Sequence, residues 1–222
     1  MIAAITSSKL LFNWFDVALV LVFGFGFWRG RKHGMTKEFV PFCRWLFIVV
    51  LAGFGYRLLG DQFIQWGVVK KIFGQSINEK TGAYIMSYLI ITCAVVLAFI
   101  YLNRFLKPKL DGSNVFGSSE YYFGVVAGMF RYACISLFAL ALLHAPYYTS
   151  AEISAQAAYN NRWYGGGMKD FKGDYIPTVY EAQAAVFTDS LFGPFIAKGM
   201  SEVLIDTRPP VQENTAVVDI RQ

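Results

Sequence analysis

Charge is what this sequence has least of. Only 16% of its 222 residues are Asp, Glu, Lys or Arg, against about a quarter in an ordinary soluble domain. A water-facing surface of normal density cannot be built from so few. Cysteine and histidine are also scarce, at three and two residues. Cys43, Cys93 and Cys134 each sit inside an apolar run. They have neither metal-ligand spacing nor the pattern of a secreted disulfide framework, and they read as small packing residues. His33 and His144 have no Asp, Glu or Cys companion at ligand or triad spacing. Metalloprotease, nucleophile-elbow and paired-carboxylate motifs are missing. No catalytic residue, metal site or cofactor is therefore expected, and the chain does not read as an enzyme. The formal charge of +5 does not point to nucleic acid either. Its bases form no stripe alternating with exposed aromatics, and no nucleic-acid-binding module is recognisable.

What the chain has in quantity is oil. Hydrophobic residues make up 55%, with 21 Phe, 13 Tyr and 5 Trp. A membrane span needs about 20 mostly apolar residues to cross roughly 30 Å of hydrocarbon, and four runs reach that length. The first covers 10–28 and is too long, with too poor a cleavage site, for a signal peptide. The second covers 39–59 and has Pro41 near its start, where a missing backbone donor is tolerable. The third, 83–102, is free of charge and stops at Asn103, Arg104 and Lys107-Pro108. The fourth lies within 121–148, which is long for one straight span and carries Arg131. Either an interfacial or re-entrant turn precedes a span, or one long tilted helix lets Arg131 snorkel or pair.

Between runs two and three, Phe63, Ile64, Trp66 and Val69 with Lys70 and Lys71 suggest a short amphipathic helix in the interface plane. A plain polar loop is the alternative.

The expected fold is thus all-α, a polytopic membrane protein. Residues 1–148 would form a four-span helical bundle with spans near 10–28, 39–59, 83–102 and 123–146. An extramembrane, partly helical tail over 149–205 and a disordered end over 206–222 would follow. Within the tail, Pro177 suits a helix start, and Gly193-Pro194 reads as a break. Phe195, Ile196, Met200, Val203 and Leu204 then recur at helical spacing. The glycine-rich segment 162–174 lacks a phosphate-loop ending.

The bases give orientation. Loops one and three hold Arg29, Arg31, Lys32, Lys37, Arg104, Lys107 and Lys109, whereas loop two holds only Lys70, Lys71 and Lys80. Seven against three places loops one and three in the cytoplasm and both termini outside. The expected location is a membrane, crossed several times. The expected partners are the lipid bilayer and either another membrane protein or a second copy of this chain.

Several residues stand out against the apolar background. Asp16 lies inside the first run, where a carboxylate is costly unless paired or wetted. It is either an interfacial anchor beside Trp14 or a polar contact in the bundle or with a partner. Arg29 and Arg131 fall at similar depth near the cytoplasmic side, and Glu38 opens run two at that level. Glu38 is expected to pair with one of the two arginines. The bland alternative leaves all three in the headgroup layer. Gly124-x-x-x-Gly128 offers a flat face for close helix contact, a spacing that also arises by chance in apolar helices.

The order Trp14-x-Asp16, Gly26-x-x-Arg29-Gly30 and Glu38 resembles the start of the colicin V production (CvpA) family of small bacterial inner-membrane proteins. So does Glu120-Tyr121-x-x-Gly124-x-x-x-Gly128-x-x-Arg131 at the fourth run. Glu120 and Tyr121 stand where the family usually has an Asp-Arg pair. Tyr132 replaces a final glycine, and the Gly30-to-Glu38 spacing is extended. The resemblance implies about four spans and a non-enzymatic accessory or assembly role tied to colicin V production and to envelope or biofilm physiology. Asp16, Gly26, Arg29, Gly30, Glu38, Gly124, Gly128 and Arg131 would be structural or interaction residues. The rival reading is an oligomeric channel or transport component for ions or small solutes, with Asp16 or Arg131 lining its pore.

Overall fold

The computed structural model describes residues 13–73, 79–110, 117–146 and 179–207. The glycine-rich segment 162–174, residues 10–12 of the first run and residues 208–222 lie outside them. Everything described is helix, turn or short connection: α1 (Trp14–Gln65), α2 (Val68–Phe73), α3 (Glu79–Leu110), a 3₁₀ turn (Gly117–Ser119), α4 (Glu120–His144), α5 (Val179–Phe187) and α6 (Gly193–Gly199).

α1 begins at a reciprocal cap. The Asn13 side chain accepts from the Trp14 amide at 2.6 Å, and the Asp16 carboxylate accepts from the Asn13 amide at 3.0 Å. The 52-residue element is not one rod. At Gly34 the backbone takes φ 70° and ψ 173°, a left-handed conformation that glycine reaches without steric penalty. The chain reverses there, giving a first arm (14–33) and a second arm (35–65). Three pairings fix their directions. Gly26 and Gly30 lie against Gly128 and Gly124, so the first arm runs antiparallel to α4. Glu38 meets Arg131 and Trp45 meets Phe138, so the second arm runs parallel to α4. Phe47 stacks on Phe99 and Tyr56 on Tyr84 at 5.6 and 5.4 Å, so α3 runs antiparallel to the second arm.

Three helices, α1, α3 and α4, are long and apolar enough to cross a membrane. Large apolar side chains such as Leu21, Phe54, Leu58 and Leu97 remain exposed along them, as lipid-facing residues do. The molecule is an all-α, multi-span membrane bundle.

Boundaries differ from the sequence expectation in instructive ways. The second arm starts at 35, so Pro41 sits in its second turn, inside the helix rather than at its start. The lost amide there leaves the carbonyl of the preceding turn without its helical partner. The arm also continues through Gln65, which takes up Phe63 and Ile64. Only Val68–Phe73 forms a separate helix, and its Val69 is fully buried instead of facing lipid. α3 continues past Arg104 because Arg and Lys end a membrane span without ending a helix. α4 is one continuous helix of 25 residues, with no separate interfacial turn. In the tail the break falls at 188–192, and Gly193-Pro194 opens α6. Proline suits a first helical turn, where its amide would be unpaired anyway.

The apolar core is concentrated at one end. Phe15, Tyr56, Tyr84, Tyr88, Leu140 and Ala141 pack there with Val186, Leu204 and Ile205 of the tail. Leu204 and Ile205 are completely buried. The tail therefore docks on the bundle end opposite the Gly34 turn.

Candidate functional site

At the Gly34 end, the turn brings the last two turns of the first arm beside the first turn of the second. Glu38, only 2% exposed, accepts from Arg29 Nε at 3.1 Å through Oε1 and from Arg131 at 2.7 Å through Oε2. One carboxylate thus ties three helical segments. His33 Nδ1 lies 3.9 Å from the same Oε1 and 3.0 Å from the Arg29 carbonyl. The two arginines differ in surroundings. Arg29 is 37% exposed and can reach solvent or headgroups, whereas Arg131 is 12% exposed.

Small residues make this approach geometrically available. A methyl group added at Gly30 would collide with the Gly124 carbonyl and come within 2.9 Å of the Val125 Cα. One added at Gly124 would lie 2.7 Å from the Gly34 Cα, and one at Gly128 would strike the Gly26 carbonyl. These obstacles are backbone, which cannot rotate away. Glycine at every fourth position on both helices therefore lets the backbones touch, and that contact sets the depth at which Arg131 faces Glu38.

The ion cluster is not electrically balanced. One carboxylate faces two guanidinium groups. Arg44, one to two turns further along the second arm, adds a third whose buried Nε has no hydrogen-bond partner, as has Arg131 Nε. Arg44 is not among the residues nominated above, although a lone charge in the run Phe42-Cys43-Arg44-Trp45 is itself a signal.

Asp16 does not join this cluster. Thirteen helical residues, or about 20 Å, separate it from Arg29. It is fully buried at the other end, where its carboxylate accepts from the backbone amides of Leu191 at 3.1 Å and Phe192 at 3.3 Å besides that of Asn13. Asn13 donates to the Ala185 carbonyl at 3.0 Å. Around them the tail satisfies the carbonyls that α4 leaves open at its C-terminus, which every helix must resolve. Gln183 donates to the carbonyls of Leu143 and Pro146, and Thr207 to that of Ala145. His144 Nδ1 lies 2.9 Å from the Ile205 carbonyl, a contact that requires the proton on that nitrogen. Tyr56 donates to the Leu204 carbonyl and accepts from the Asp206 amide.

The sequence-nominated residues therefore divide into two groups: Gly26, Arg29, Gly30, Glu38, Gly124, Gly128 and Arg131 at the turn end, and Asp16 alone at the tail end. Gly34, Tyr56, Asn13 and Gln183 were not singled out. Gly34 had a readable signal, since Gly26, Gly30 and Gly34 repeat at four-residue spacing. The tail partners had none, because their bonds span as many as 176 residues. Among the described residues, no group of three or more His, Cys, Asp or Glu could hold a metal ion. The three cysteines are free.

The family model described as colicin V production protein matches residues 15–163. That is two thirds of the chain, and the chain belongs to this family. It is a membrane accessory protein related to the colicin V production family. No curated protein and no solved structure matches it.

Proposed function

We propose that the protein is a four-span inner-membrane accessory or assembly factor, one that presents fixed helix faces to a partner instead of carrying out a reaction. The two arms of α1, α3 and α4 would be the spans, forming a membrane domain over 1–148. Residues 149–205 would form an outer, partly helical cap, and Asp206 and Thr207, bonded to Tyr56 and Ala145, extend it beyond the expected boundary. The excess of bases near the Gly34 turn favours that turn on the cytoplasmic side, with both termini outside.

The observation that carries the assembly reading is how the polar groups are used. Glu38, Arg29 and Arg131 hold helices together, and Asp16 holds the tail. Asp16 and Arg131, the groups expected to line a transport path, are thus each engaged within one chain. The family membership adds the biological direction, toward colicin V production.

Affinity purification at native expression level in mild detergent, followed by native mass determination, tests the reading. A stoichiometric foreign membrane protein is the expected outcome, and a lone homo-oligomer would instead favour a pore. In the same cells, a Lys37→Cys variant on a cysteine-free background should react with an impermeant maleimide only after lysis. Labelling of intact spheroplasts would overturn the orientation.

A further inference from the structure

Beside the Glu38 cluster, on the outer surface of the first arm, the structure contains a second basic feature that the bundle does not use. Trp28, Arg31, Lys32 and Tyr121 line an open cavity of about 390 Å³. The Arg31 guanidinium lies over the Tyr121 ring at 5.5 Å from its centroid, and the Lys32 ammonium lies over the Trp28 ring at 5.6 Å. Neither cation has a carboxylate partner among the described residues. Glu120, next to Tyr121 at the start of α4, has its side chain packed against Gly34. Two cations are thus held in place by neutral ring faces, with their N–H donors uncommitted to any acid.

We propose that this cavity binds the phosphodiester headgroup of an anionic phospholipid. Its chemistry fits: a planar guanidinium can grip two phosphate oxygens, and an ammonium adds a mobile point charge. The depth fits as well. Lys32 and Tyr121 flank the Gly34 turn, and Trp28 is 57% exposed, as expected of an aromatic ring at headgroup level. Along the same face of the first arm toward the bundle centre, Phe25, whose ring lies 5.7 Å from that of Trp28, and Leu21 are exposed and would receive acyl chains. That apolar continuation is what selects a lipid over free phosphate, which would need only the charged end. Anionic lipid is also drawn to basic residues beside a membrane helix.

Native mass spectrometry of the purified full chain, titrated with phosphatidylglycerol, phosphatidylcholine or inorganic phosphate, tests this. Phosphatidylglycerol adducts should exceed phosphatidylcholine adducts at equal concentration. The double variant Arg31→Gln/Lys32→Gln should weaken them roughly thirtyfold, with phosphatidylcholine adducts unchanged. Trp28→Ala/Tyr121→Ala, which keeps both charges, should also weaken them, whereas Lys37→Gln on the same turn should not. Arg31→Lys serves as the gentler variant if the double substitution lowers folding yield, and it should lose part of the preference. Equal binding of both lipids, an equal effect of Lys37→Gln, or displacement by inorganic phosphate at matched concentration would each overturn the assignment.

Discussion

The two ends of the bundle solve the same problem by different chemistry. At the Gly34 end, a buried carboxylate is neutralised by side chains from neighbouring helices, and glycine–glycine backbone contact replaces an apolar core. At the tail end, a buried carboxylate is satisfied by backbone amides, and large aromatic and aliphatic residues fill the space around it. The first arrangement is intolerant, because an excess guanidinium remains if its acid is lost. The second spreads the work over many weaker bonds, so each one matters less and the whole depends on the tail staying docked.

Substitutions at each end should separate these modes. Glu38→Gln should have the largest effect, because Arg131 would be left buried without its counter-charge. A loss of about 3–5 kcal/mol is expected, read as a lowered melting temperature in detergent. Arg29→Ala should cost much less, since that pair is partly open to solvent. Equal losses from the two would refute the asymmetry.

Asp16→Ala should come next, at about 2–3 kcal/mol, from the charge-assisted bonds it removes. Its signature should be local: hydrogen exchange at the Leu191 and Phe192 amides should rise while α4 near Arg131 stays protected. Global loosening would contradict the separation of the two ends. Gly30→Ala should cost roughly 1–3 kcal/mol by pushing two backbones apart. Gly24→Ala on the same arm should be neutral, since a methyl group there meets nothing within 4 Å.

Legibility in the sequence followed the range of the interactions. Long apolar runs gave the all-helical membrane class, because hydrocarbon thickness imposes a length on any span. Glu38 could be linked to Arg29 and Arg131 because charges are rare in these runs and few partners exist. That both arginines bind it together needs the reversal at Gly34, a backbone angle no residue count supplies. Helix ends were harder. Basic residues and Pro41 suggest boundaries, yet α3 runs past Arg104 and the second arm begins well before Pro41. Membrane depth and helix continuity are separate constraints, and composition reports mainly the first. The tail's docking was hidden for another reason. Tyr56, Gln183 and Thr207 bond to carbonyls, which every residue possesses, so no pairing of types announces them.

The Asp16 clamp also has a temporal side. During synthesis, Asp16 must wait for 175 further residues before the Leu191 amide can reach it. Until then its carboxylate, the Tyr56 hydroxyl and the open carbonyls at the end of α4 lack their tail partners. Insertion of the helices and closure of the bundle are therefore separate events, and a chain cut short before the tail would present an open, polar end that the finished molecule conceals.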